Sequence, residues 1–235
     1  MNKQQIEQCV RRNYEKVQER IRAACKRVGR AAEEVRLVAV TKYAQIEWIE
    51  PLLEAGVSDL GENRPQQLIE RAAVLPQTVR WHMIGHLQRN KVRPILPVVE
   101  WIHSVDTLRL LERIDRLAAE LKLKPRLLLE VNVSGEETKF GFSPDELNEQ
   151  WERVLECEHV ELCGLMTMAP FVQDPEQTRP VFRQLRQLRD QLQTRSGTKA
   201  HLSELSMGMS NDFEVAVEEG ATMVRIGSLL FEGLL

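Results

Sequence analysis

Apolar residues at the start of the chain recur at steps of three and four. Ile6, Val10, Tyr14, Val17, Ile21 and Ala24 line one side of a helix, and Gly29 suits its end. The period then changes. Residues 35–40 read VRLVAV, a short run rich in valine without polar alternation, which is the pattern of a strand buried on both faces in a parallel sheet. Similar short runs follow at 57–60, 79–83, 98–103, 126–133, 160–165, 201–205 and 222–226, with amphipathic segments such as TLRLLERIDRLAAELKL and TRPVFRQLRQLRDQLQ between them. Alternation of strand and helix, eight strands deep in 235 residues, predicts a single closed (β/α)8 barrel over 1–235. Residues 1–29 form an extra N-terminal helix packed on it; an open doubly wound sheet is the alternative.

Composition narrows the partners. Hydrophobic residues make up 43% and charged residues 29%, the balance of an ordinary globular chain. The 32 Lys and Arg nearly cancel the 35 Asp and Glu, and a net charge of −3 gives no global field for nucleic acid or an anionic membrane. Any basic site must be local. No apolar stretch reaches the roughly 20 residues of a membrane span, and the charged opening argues against a secretory signal, so a cytoplasmic location is expected. Cys9, Cys25, Cys157 and Cys163 form no CxxC pair, which favours free thiols over metal ligands or disulfides.

In a barrel, chemistry gathers where strands end and the following loops begin. Lys42 directly follows the first strand, and a neutral lysine amine adds to a carbonyl to form an imine. A strand-end lysine that snorkels to water is the plainer account of the same residue. Ser206 to Ser210 is a glycine-bearing turn ahead of a helix that Ser210 or Asn211 would cap, with Glu214 completing a capping box if Asn211 is the cap. Free amides and small hydroxyls there form an anion cradle, and Gly227-Ser228 after the last strand is a second such turn. Loops after strands seven and eight commonly build a phosphate site, so a phosphate-bearing ligand is predicted. Arg225 either serves that ligand or closes a structural ion pair.

Other polar residues carry less. His82 and His86 have the spacing of a zinc helix, but Met83 stands where a zincin needs Glu, and a strand ending at Met83 would point the two rings apart. Glu62 and Asp212 are expected to be surface or capping carboxylates, whereas Asn63 at a strand end is placed to hold a ligand oxygen. Arg183, Arg186 and Arg189 read as a solvated helix face.

Across nearly its whole length the chain resembles the pyridoxal phosphate homeostasis proteins, relatives of the N-terminal barrel of bacterial alanine racemase. The matches are AVTK (39–42), GENR (61–64), WHMIGHLQRNK (81–91), KFGF (139–142), GLMTMAP (164–170), LSMGMSNDF (205–213) and VRIGSLLF (224–231). The resemblance implies an alanine racemase N-terminal domain-like barrel that carries pyridoxal 5'-phosphate as an aldimine, or Schiff base, on Lys42. It further implies a phosphate cradle of Ser206, Gly208, Met209, Ser210, Gly227 and Ser228, with Asn63 beside the pyridine ring and Arg225 facing its nitrogen. The C-terminal Phe231–Leu235, FEGLL, departs from the family's usual Phe-Gly followed by Arg.

Three functions share this lysine and cradle. The first is a monomeric carrier for vitamin B6 and amino-acid homeostasis, which releases the cofactor to amino acids or apo-enzymes without robust turnover. A racemase-like enzyme is the second, yet its second base would have to be Tyr43, since Tyr14 lies in the first helix. The third is a cofactor-free barrel enzyme that uses Lys42 on a phosphorylated sugar.

Overall fold

Eight strands pair in parallel in chain order, and the last closes on the first. In the computed structural model, which describes residues 1–235, they are β1 (Arg36–Val40), β2 (Asp59–Glu62), β3 (Arg80–Met83), β4 (Trp101–Val105), β5 (Arg126–Glu130), β6 (Glu161–Met166), β7 (Glu204–Ser206) and β8 (Met223–Ile226). The predicted strands are all present, with edges moved. β7 starts at Glu204 and not at 201, and β5 stops at Glu130, beyond which Val131 bridges to Phe142.

Alternation along the strands sorts two cores. On β1, Leu37 and Ala39 join a 57-residue cluster that includes the apolar faces of the helices, while Val38 turns inward. Inside the barrel it meets Trp101, Leu128, Cys163, Met166 and Met223. The same period puts His103 two places beyond Trp101, Glu130 two beyond Leu128 and Arg225 two beyond Met223, so polar groups stack above an apolar plug.

Seven helices follow strands: α2 (Ile46–Glu54), α3 (Pro65–Ala72), α4 (Val92–Ile95), α5 (Leu108–Leu121), α6 (Pro144–Val154), α7 (Arg179–Ser196) and α8 (Phe213–Glu218). After β8 there are only turns, and the ring is completed from the other end of the chain. Helix α1 (Lys3–Arg27), the expected N-terminal helix packed on the barrel, lies against both α2 and α8 and so takes the eighth place of the ring. Asn2 and Gln5 form a reciprocal capping box at its start. The buried Asn13 of α1 donates to the carbonyls of Leu230 and Glu232, at 3.3 and 2.9 Å, and so ties down the atypical C-terminal turn. No helix is long and apolar enough to cross a membrane, and the four cysteines are free.

Surface arginines on α7 are more engaged than a solvated face would be. Arg179, Arg183 and Arg186 converge on the buried Glu219, which follows α8.

Candidate functional site

Thr41-Lys42-Tyr43 leaves the carboxyl end of β1 as a loop clamped from below. Arg71 of α3, 8% exposed, donates to the carbonyls of Thr41 and Ala44 on either side of Lys42, and pairs with Glu62 at the end of β2. Gln67 adds a bond of 3.1 Å to the Lys42 carbonyl. Glu62 is therefore no surface carboxylate. Burial pushes its carboxyl up, against the pull of Thr41 and Arg71. The Lys42 side chain is half-buried, with Nζ 5.0 Å from the centre of the exposed Tyr43 ring. Asn63, also half-buried, lies in the next loop, where any side chain on Gly85 would collide with it: a Cβ there would stand 2.5 Å from the Asn63 carbonyl oxygen.

The loops after β7 and β8 meet each other. Gly227 donates its amide to the Ser210 hydroxyl at 3.4 Å, and Arg225 donates its amide to the Gly208 carbonyl at 3.0 Å. Gly208 has φ +90°, and a Cβ would sit 2.6 Å from that of Ala216, so only glycine makes this turn. The predicted capping box is absent. Asp212 caps α8, its side chain turned back to accept the Met209 amide at 2.6 Å, while Asn211 donates to Val172 and Glu214 pairs with Arg20 and Arg27. Met209 thus has no amide to offer an anion. The amides of Ser210, Asn211 and Ser228 donate to no protein acceptor, and with the Ser210 and Ser228 hydroxyls they supply the donor set that a phosphate takes. Because β8 pairs with β1 up to Ala39 opposite Ile226, this cradle and the Lys42 loop leave neighbouring strands at the same end of the barrel.

Arg225 lies beneath the cradle, 4% exposed and without an ion-pair partner. It donates to the Ser206 hydroxyl at 2.7 Å and to the Thr167 carbonyl at 2.9 Å. Burial lowers the guanidinium to about 10, with Asp212 and Glu130 opposing, so it stays charged at neutral pH. Ser206, assigned by resemblance to the cradle, faces the barrel interior, and its hydroxyl holds Arg225 instead.

From Ser206 a line of hydrogen bonds runs down through the barrel. The contacts are Ser206 to His103 at 2.8 Å, His103 to His82 at 2.9 Å and His82 to Asp59 at 2.9 Å, where Arg80 pairs with the same carboxylate. Burial opposes charge on both imidazoles, and it pushes Asp59 up as well, but bonds from His82 and Arg80 hold that carboxyl well below the usual range. With neutral rings and an ionised Asp59, one proton assignment satisfies every contact. His82 Nε2–H donates to Asp59, His103 Nε2–H to His82 Nδ1, the Ser206 hydroxyl to His103 Nδ1, and Arg225 to Ser206. His82 and His86 do point apart, for His86 sits outside on Asp106.

Glu130, at the carboxyl end of β5, is 3% exposed. Burial, with Asp106 nearby, raises its carboxyl to about 7, against the pull of Arg225. The structure thus gathers Lys42, Asn63, Ser210, Gly227, Ser228 and Arg225 at one rim, with Ser206, Gly208 and Met209 serving as its framework. Sequence patterns missed Arg71, Glu130 and the line from Asp59 to His103. Inward alternation was the signal for Glu130 and His103, whereas Arg71 gave none.

The molecule is thus a (β/α)8 barrel with a lysine, a pair of glycine-serine turns and a buried arginine at its carboxyl rim. Comparison with known proteins narrows the class. The family described as alanine racemase, N-terminal domain, matches residues 13–234. A pyridoxal phosphate homeostasis protein of Aquifex aeolicus is 45% identical over 217 residues, which cover 92% of this chain and 94% of that protein. Among solved structures, a protein of Bifidobacterium adolescentis of unknown function superposes with a TM-score of 0.88 at 37% identity, covering 96% of each chain. The PipY protein of Synechococcus elongatus, solved with pyridoxal phosphate bound, gives a TM-score of 0.79 at 36% identity and covers 92% of this chain and 99% of its own. The chain belongs to the pyridoxal phosphate homeostasis protein family, built on the alanine racemase N-terminal barrel.

Proposed function

We propose that this protein binds pyridoxal 5'-phosphate at the barrel rim, covalently through Lys42, and stores and releases it in the cytoplasm without robust catalytic turnover. The observation that carries the reading is the meeting of Ser210 and Gly227 at 3.4 Å, on the strand end that adjoins the Lys42 loop. The donor set fits the group: the free amides of Ser210, Asn211 and Ser228 with the two serine hydroxyls for a phosphate, an amine for an aldehyde, and a buried guanidinium for a ring nitrogen. The PLP-bound relative, similar over nearly its whole length, supports the same ligand.

When bound, the cofactor supplies an aldehyde and an electron-withdrawing ring. The chain's own residues then restrain it. Lys42 provides the nucleophilic amine, on a loop that Arg71 and Gln67 keep in place. Ser210 and Ser228 would hold the phosphate, with Gly227 joining their two turns through its bond to the Ser210 hydroxyl, and Asn63 would lie beside the ring. Arg225, charged and locked to Ser206 and Thr167, would face the ring nitrogen and disfavour its protonation, which would weaken the ring as an electron sink. A tight grip with weak activation suits a carrier. Tyr43 is 68% exposed, which counts against it as an inward second base.

The test is an absorption spectrum of the wild type and Lys42→Ala, before and after adding pyridoxal phosphate. The wild type should be yellow or turn so, and the variant should lose the visible band. A colourless protein that takes up no cofactor ends the reading, and rapid turnover of any amino acid in a panel ends its carrier part.

A further inference from the structure

An open groove lies beside the rim and not over it, and its chemistry differs from that of the site. About 1130 Å³ in volume, it starts at His86 and Asp106, which follow β3 and β4, and runs along the outer face of α5. Arg89, Arg109, Arg113 and Arg116 line it, and none of the four makes a hydrogen bond or an ion pair. Elsewhere arginine clusters are neutralised: Arg20 and Arg27 bridge to Glu214, and Arg179, Arg183 and Arg186 to Glu219. The acids of α5 do not offset them: Glu112 pairs with Arg153, Asp115 with His159 and Glu120 with Arg93. Asp106, the other carboxylate of the groove, is held by His86. Three arginines at i, i+4 and i+7 thus repel one another along about 10 Å of helix, and the two carboxylates that share the groove, Asp106 and Glu112, are paired with other cations.

We propose that this groove is a docking surface for an acidic segment of another protein. Guanidinium groups that are free, regularly spaced and partly exposed match carboxylates bidentately. A nucleic-acid strand fits less well. Phe140, the groove's aromatic residue, is already stacked on His86 with ring centres 4.0 Å apart, which leaves no row of stacking platforms. Position gives the surface its meaning. The groove opens at the same carboxyl end of the barrel as the Lys42 loop, so a protein seated there is held on the side from which an acceptor of a carried group would approach. That consequence rests on the carrier reading; the surface itself does not.

Fluorescence anisotropy of a short fluorescein-labelled oligoglutamate peptide, titrated with the full chain at low ionic strength, tests the proposal. Binding is expected, and the triple variant R109E/R113E/R116E should weaken it about tenfold or more while gaining affinity for oligolysine. Arg→Gln at the same positions should also weaken oligoglutamate without that gain. Cofactor uptake, read by absorbance on the same samples, reports whether each variant folds and keeps the rim site. Loss of cofactor binding in the wild type with peptide binding intact would strike the carrier reading alone. No oligoglutamate binding, binding unmoved by the substitutions, or tighter binding of a length-matched oligothymidylate would each overturn the docking surface.

Discussion

Glu130 shows how one carboxyl links site and stability. Its folded form titrates near 7, above the ordinary value of 4.5, chiefly because it is buried. The proton is therefore kept without cost in acid, and stability falls as pH rises from the ordinary carboxylate range through about 7. Glu130→Gln should leave stability unchanged near pH ~4 and raise it by up to about 3 kcal/mol above pH ~8. Urea unfolding of both proteins at the two pH values measures this, and equal differences at both would refute it. Residues of this kind were the least legible in sequence. Lys42, Ser210 and Gly227 sit in short motifs that announce a turn or a strand end. Glu130 is one acid at the end of a leucine run, and only the inward parity of β5 reveals it.

At the scale of elements, strand and helix periods located all eight strands, and the errors fell at their edges. The capping box was misread for a physical reason. Asn211 and Glu214 have the right spacing, but Arg20 and Arg27 of α1 draw Glu214 away, and Asp212 turns back on Met209. A contact nearly two hundred positions distant overrode a local rule. The same distance hid the role of α1, whose Asn13 holds the C-terminal turn. Asn13→Ala should destabilise the protein by about 1–2 kcal/mol through two unmet carbonyls. Hydrogen exchange should quicken first at residues 230–234, and uniform loss of protection would instead mean that α1 itself had come loose.

Over the whole molecule, the line from Arg225 through Ser206, His103 and His82 to Asp59 joins the rim to the far end of the barrel. Its members come from β8, β7, β4, β3 and β2, so no local pattern could signal it. Each donates in one direction, and removing any of them leaves two neighbours unsatisfied in a dry interior. His103→Leu is expected to cost about 3 kcal/mol, and adding His82→Leu much less than its separate cost. A double-mutant cycle by chemical denaturation decides it; strict additivity would mean the bonds do not act together.

Closure of the ring by α1 has a consequence for biosynthesis. β1 emerges from the ribosome early, yet the strand that covers its free edge is made last, and α1 waits as long for α8. The nascent chain must keep that seam from sticking to strangers, and the Gly227-Ser228 turn of the proposed phosphate cradle arrives with the strand that seals it. Under the proposed function, a truncated translation product would be unable to take up the cofactor, and bound cofactor would mark a finished molecule.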